Sequence, residues 1–85
     1  MKSHKPREQW ETLTLNVGDE WVQNGKLREI VGLRYSRVGR SEDSVRLCDG
    51  FVWIEYAEGG KLKQCDSATW LVYAKSATRT KEGMA

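Results

Sequence analysis

The sequence predicts a mainly β domain, a small open barrel of about five antiparallel strands that ends in a short helix or 3₁₀ turn. Three observations support this prediction. The 85 residues suffice for one domain, short runs of strand formers recur along the chain, and two-residue turn signals stand at Asn24-Gly25, Asp49-Gly50 and Gly59-Gly60. We expect one globular unit over residues 10–77, a disordered basic arm at 1–9 and a flexible tail at 78–85.

The first half of the chain contains the longest strand candidate. Residues 12–16 are a short strand or an ordered lead-in, a turn follows at 17–19, and residues 20–23 are a short strand. The first hairpin signal then leads into residues 27–38. Gly32 interrupts this long run. A glycine inside a strand indicates a bulge or bend, and bends of this kind curl a short sheet into a barrel.

The second half predicts a three-stranded meander over residues 45–65. Two-residue turns fix the pairing register, so the first turn places Arg46 opposite Trp53 and the second places Ile54 opposite Cys65. One face is then apolar and forms the core, with Val45, Leu47, Val52, Ile54 and Cys65. The other face is mixed and carries Arg46, Cys48, Phe51, Trp53, Glu55 and Gln64.

After this meander the hydrophobic period changes. Asp66 or Ser67 suits a helix N-cap, and apolar side chains follow at helical spacing, namely Trp70, Tyr73, Ala74 and Ala77. This pattern predicts a short helix or 3₁₀ turn over 67–76, and a last strand over 69–74 stays the alternative. The hairpin-rich order and the short length favour a barrel of the SH3-like type.

Composition limits the compartment and the class of partner. The 14 basic and 12 acidic residues give a net charge of +2, which is too even for a nucleic-acid footprint over the whole molecule. Two cysteines without a secretory signal predict free thiols and a cytoplasmic protein. No stretch approaches the roughly 18 apolar residues of a membrane span, so we expect no membrane partner. The oligomeric state stays open.

The side chains that catalysis requires are sparse. The single histidine, His4, falls in the predicted arm, and Cys48 and Cys65 lack the paired spacing of a zinc site. Turn chemistry explains Asp19 and Asp49. The sequence therefore predicts a protein that is not an enzyme and has no catalytic residue, metal site or cofactor, with an enzyme whose site forms only at an oligomer interface as an alternative.

Arginines and aromatic residues provide the candidate binding site. Arginine suits contacts with phosphates, carboxylates and aromatic rings, and aromatic platforms beside cations are typical of single-strand nucleic-acid binding and of protein hot spots. Three interpretations stay open: ordinary strand charges facing water with Arg46 covering Trp53, a host-protein partner, or nucleic acid. The predicted binding residues are Arg28, Arg34, Arg37, Arg46, Phe51 and Trp53.

Several short segments together carry a resemblance to a known class of proteins. They are Val17-Gly18-Asp19-Glu20-Trp21, Arg28-Glu29-Ile30-Val31-Gly32-Leu33, the hairpin around Gly59-Gly60, and Ala68-Thr69-Trp70. In this arrangement residues 17–76 resemble short phage and prophage accessory proteins with a small SH3-like barrel. The resemblance implies a mobile-element origin and a protein that binds, and in some cases inhibits, a host protein. It transfers no functional residue.

The opening of the barrel also looks like the plasmid-borne type II dihydrofolate reductases, SH3-like tetramers whose pore is the active site. Their Val-Gln-Ile-Tyr motif is absent, and the nearest stretch is Trp53-Ile54-Glu55-Tyr56. This second resemblance therefore implies only that an oligomer can build a site that one chain lacks.

Overall fold

The structure is a computed structural model that describes residues 13–37, 39–47 and 51–83. The predicted arm at 1–9 lies outside these residues. The described part contains one helix, α1 (Ser67–Ala74), and eight strands: β1 (Thr14–Asn16), β2 (Glu20–Gln23), β3 (Lys26–Tyr35), β4 (Ser41–Glu42), β5 (Ser44–Arg46), β6 (Val52–Glu58), β7 (Lys61–Asp66) and β8 (Thr78–Lys81).

The strands form two antiparallel sheets. The larger sheet has the order β7-β6-β3-β2-β8, with β4 added beside β3, and the smaller sheet pairs β1 with β5. Strands β7 and β8 end the larger sheet at opposite sides and do not pair with each other, so the barrel is open. The predicted mainly β fold, an open antiparallel barrel with a short helix, is confirmed.

Two of the three predicted hairpin turns are present. Asn24 and Gly25 have φ values of 53° and 78°, and Gly59 and Gly60 have 61° and 79°. Positive φ at both central residues is the type I′ geometry that tight hairpins require. The β6–β7 register is also as predicted. The third predicted turn, at 49–50, lies outside the described residues.

The meander predicted over residues 45–65 is wrong in one strand. β5 pairs with β1, so Thr14 rather than Trp53 lies opposite Arg46. β6 lies between β3 and β7. β5 therefore belongs to the small sheet and β6 to the large one. Arg34 therefore lies opposite Trp53.

The bulge predicted at Gly32 is present and reverses the alternation of side chains along β3. The pairing of β3 with β6 shifts register between Ile30 and Gly32. Ile30 and Leu33, three positions apart, are consequently both buried. Because a bulge moves all later side chains to the other face, Arg28 and Arg34 lie on opposite sides of the sheet.

The predicted helix packs against an aromatic core. The Asp66 carboxylate accepts a hydrogen bond from the Thr69 N–H at 2.8 Å, which is an N-cap interaction. Trp70 of α1 is fully buried, and its ring lies 5.8 Å from that of Trp21 and 5.6 Å from that of Tyr56. The helix is confirmed, and the alternative strand over 69–74 does not form.

The flexible tail predicted for residues 78–85 is wrong for its first part, because Thr78–Lys81 form β8 against β2. Arg79 lies over the Trp21 ring at 5.0 Å and donates to the Thr14 carbonyl at 2.7 Å. The fully buried Asp19 carboxylate accepts from the Gly83 N–H at 2.6 Å. The segment is polar because it is an edge strand. Hydrogen bonds with residues more than 60 positions away in the chain hold it in place.

In the part of the chain that the structure describes, no helix is long and apolar enough to cross a membrane.

Candidate functional site

One face of the large sheet points away from the core. Along β6, Val52, Ile54 and Tyr56 are buried, and the alternate side chains point outward. β3 and β7 flank β6 and contribute to the same face. We call this surface the outer face and define it by Arg34, Phe51, Trp53, Glu55, Ala57, Leu62 and Gln64.

An aromatic pair marks one end of the outer face. The rings of Phe51 and Trp53 are 5.5 Å apart and perpendicular. Phe51 is 48% exposed, and Trp53 is partly exposed. Edge-to-face contact holds each ring in place. The pair therefore presents an apolar surface in which each ring already has a packing partner.

Arg34 lies beside this pair. Its Cα is opposite that of Trp53, and its Nη2 donates to Oε1 of Gln64 at 3.4 Å. Gln64 lies on β7 opposite Glu55. The arginine side chain therefore crosses β6 on the outer face between Trp53 and Glu55.

A carboxylate occupies the middle of the outer face. A Cβ atom added at Gly32 would lie 2.8 Å from Oε1 of Glu55, so the Glu55 side chain rests over the glycine backbone. Glu29 lies opposite the next outward residue, Ala57. The outer face is therefore of mixed charge rather than basic.

The other predicted binding residues are dispersed. Arg46 is exposed on β5, and its N–H donates to the Tyr35 hydroxyl at 3.4 Å. Arg37 is exposed in the turn after β3. It follows Ser36, whose N–H donates to the Phe51 carbonyl at 2.8 Å. The structure thus brings Phe51, Trp53 and Arg34 together and places Arg37 at the same end of the sheet, whereas the predicted cross-strand pair of Arg46 and Trp53 is absent.

Arg28 lies on the core side of the sheet. Its guanidinium carbon is 3.8 Å from the ring centroid of Tyr73, 4.4 Å from that of Tyr56 and 5.6 Å from that of Trp70. Its Nε donates to Oε2 of Glu58 at 3.2 Å. These contacts make Arg28 a part of the aromatic core, so it does not belong to the outer face.

The groups around Arg28 titrate away from their ordinary ranges. Hydrogen bonds from Lys63 and Arg28 hold the pKa of Glu58 below its ordinary value. Burial raises the pKa of Tyr73. Burial also raises the pKa of the Cys65 thiol to about 11. The thiol is therefore protonated near neutral pH and is a poor nucleophile.

The described residues include no group of three or more His, Cys, Asp or Glu side chains that could hold a metal ion. His4 and Cys48 lie outside the described residues.

Exposed aliphatic side chains lie near the hairpin ends of the outer face. The sequence pattern alone did not single them out. Leu62 is 70% exposed and lies opposite Ala57. Leu27 is 47% exposed, and with Ala57 it lines a shallow groove of about 700 Å³ between the β2–β3 and β6–β7 turns. The groove is also lined by charged side chains of both signs, namely Lys26, Lys61, Lys63, Glu29 and Glu58. The β6–β7 register was the available signal, because it places Leu62 on the same face as Trp53.

Comparison of the chain with protein-family models, with curated proteins and with solved structures finds no match.

Proposed function

We propose that this chain is a non-catalytic interaction module that binds a host protein through the outer face. The observation that carries the proposal is the perpendicular Phe51–Trp53 pair, in which Phe51 is 48% exposed and Trp53 is partly exposed, on the strand that pairs with Arg34 of β3. Aromatic residues and arginine are the side chains that contribute most to protein interfaces. Exposed aliphatic residues along the same sheet supply additional apolar contact area.

The charges on the outer face favour a protein over nucleic acid. Phosphate backbones require clustered cations, and a carboxylate among them weakens the attraction. Glu55 lies in the middle of the outer face and Glu29 at its border. A protein surface, by contrast, can complement both signs of charge.

A phage or other mobile-element origin, with inhibition of the bound host protein, is also part of this proposal. Its support is the resemblance of residues 17–76 to short phage and prophage accessory proteins.

Affinity capture with matched variants tests the proposal. The wild-type chain is immobilised, exposed to host lysate with and without nuclease, and compared with the double variant Phe51→Ala/Trp53→Ala. The control is Val72→Ala, because Val72 is 66% exposed on α1, away from the outer face. Circular dichroism and urea unfolding establish that each variant is folded.

We expect the wild type and Val72→Ala to retain one host protein despite nuclease treatment. The double variant should bind it about 30-fold more weakly, the loss expected when hot-spot residues worth about 2 kcal/mol are removed. Equal retention by the folded double variant would show that the outer face is not the interface.

Nucleic acid is the second candidate, because Arg34 and Arg37 lie at the same end of the sheet as the aromatic pair. Stacking of bases on aromatic rings beside cations is the usual mode of single-strand binding. Titration with single- and double-stranded oligonucleotides at increasing salt decides this question, since phosphate contacts make affinity fall steeply with salt. Binding that is absent at low salt would eliminate this candidate.

A further inference from the structure

Strand β7 is a regular, exposed edge of the large sheet. Within the described residues it pairs with β6 alone, over six consecutive positions without a register shift. The opposite edge, β8, has four residues, and its pairing with β2 shifts register beside Trp21. Irregular edges are poor templates for an additional strand. β7 is therefore the edge on which another strand can be added.

The turn geometry identifies the backbone groups that face outward. In a two-residue hairpin the residues that flank the turn, here Glu58 and Lys61, form a hydrogen-bonded pair, and such pairs alternate along the strands. The N–H and C=O groups of Lys63 therefore point toward β6. Those of Leu62 and Gln64 point away from the sheet, and no described residue forms a hydrogen bond with them.

The side chains of β7 differ between its two faces. Leu62 and Gln64 belong to the outer face, whereas Lys61 and Lys63 lie on the other side. Lys63 is paired with Glu58 at 3.1 Å, but Lys61 has no ion-pair partner among the described residues. Because Arg28 also contacts Glu58, this carboxylate already has two cationic partners and leaves the charge of Lys61 uncompensated.

We propose that β7 binds an extended acidic segment of a partner protein as an added strand. Acidic side chains at alternate positions of that segment would lie beside Lys61 and Lys63, and the intervening apolar side chains would contact Leu62. This inference rests on the proposed function, since it assigns a chemical class to part of the partner that covers the outer face. A second copy of this chain fits less well, because pairing of two β7 strands would bring lysines close to lysines.

A peptide probe tests this assignment. The probe is an eight-residue peptide that alternates glutamate and valine and is blocked at both ends, and its matched control alternates lysine and valine. Amide hydrogen exchange of the full chain is measured by NMR with each peptide. We expect the glutamate peptide to slow exchange at Leu62 and Gln64 and to leave Lys63 unchanged, because its amide is already bonded within the hairpin. The lysine peptide should slow neither.

Two variants check the mode of binding. Gln64→Pro removes an outward N–H at an edge position, which a sheet tolerates, and should abolish the protection of the Leu62 amide. Lys61→Glu leaves the backbone unchanged and should weaken the glutamate peptide about five-fold, the effect expected for one surface charge pair that becomes repulsive. Val72→Ala on α1 serves as the unaffected control.

Three results would overturn the assignment. Equal protection by both peptides would show that charge does not select the segment. Protection of Leu62 and Gln64 without peptide, together with dimerisation measured by sedimentation, would assign the edge to a second copy. The glutamate peptide could fail to protect these amides while Phe51→Ala/Trp53→Ala still prevents host-protein capture. That combination would eliminate the edge site and retain the proposed function.

Discussion

Replacing Arg28 with alanine separates a core role from a binding role for this arginine. The substitution removes a cation that lies over three aromatic rings at 3.8–5.6 Å and an ion pair with Glu58 in which both side chains are 18% exposed. Partly desolvated cation–π contacts contribute about 1–2 kcal/mol, and a pair this accessible to solvent contributes about 1 kcal/mol or less. We therefore expect Arg28→Ala to lower the free energy of unfolding by about 1–3 kcal/mol.

Urea unfolding followed by tryptophan fluorescence measures this loss. It is large, because a domain of this size is expected to have a total stability of about 4–13 kcal/mol. Arg28→Lys keeps the charge but loses the planar guanidinium, so it should fall between the wild type and the alanine variant. Arg37→Ala is the matched control at an exposed turn position and should change stability by less than about 0.5 kcal/mol.

The same variant also tests the assignment of Arg28 to the core side. At a temperature where it stays folded, Arg28→Ala should capture the host partner as well as the wild type does. An Arg28→Ala protein with unchanged stability and lost capture would refute the reasoning.

Three further predictions concern the buried carboxylate of Asp19, the thiol of Cys65 and the response to acid. Asp19→Ala leaves the N–H groups of Gly83 and Asn16 without their buried acceptor, so it should lower the free energy of unfolding in urea by about 1–3 kcal/mol, and a loss below about 0.5 kcal/mol would contradict this role of the Asp19 carboxylate. Cys65 should resist alkylation by iodoacetamide at pH 7.5 in the native state and react in urea, because burial raises its pKa to about 11; fast native reaction would show that the thiol is accessible. The pKa values of Glu58 and Asp66 are lowered in the fold, by hydrogen bonds from Lys63 and from the Thr69 N–H respectively. Their contribution to stability should thus be complete near neutral pH and be lost as the pH falls below about 4, and a urea midpoint that stays constant down to pH 3 would contradict this.

Local turn and cap chemistry made part of the fold predictable. The hairpin turns at Asn24-Gly25 and Gly59-Gly60 require positive φ at two neighbouring residues, and few other residue pairs adopt that conformation. The N-cap signal is also local, because it consists of Asp66 directly before apolar residues at helical spacing. The β6–β7 register followed from one of these turns, and it placed Trp53 and Glu55 on one face.

Turn and cap residues do not indicate which strands pair when the strands are far apart in the chain. The pairing of β5 with β1 joins segments about 30 residues apart, and no turn between them indicates it. Consequently the sequence placed Arg46 opposite Trp53, where the structure has Arg34. The effect of the Gly32 bulge on side-chain direction explains the misplacement of Arg28, because one extra residue reverses the alternation.

The C-terminal strand β8 could not be predicted from its own residues either. Thr78–Lys81 has no apolar side chain that would indicate a strand. It is held by Arg79 over Trp21 and by the buried Asp19, and both partners are distant in the chain. Polar edge strands of this kind resemble tails when only the sequence is considered.

NMR of the isotope-labelled chain bound to its captured host protein tests the central claim most directly. The account predicts that the indole N–H of Trp53 and the side-chain amide of Gln64 shift or broaden on binding, whereas the amide of Lys75 after α1 keeps its free-state position. Changes confined to α1, with Trp53 and Gln64 unaffected, would contradict the claim that the outer face binds the partner.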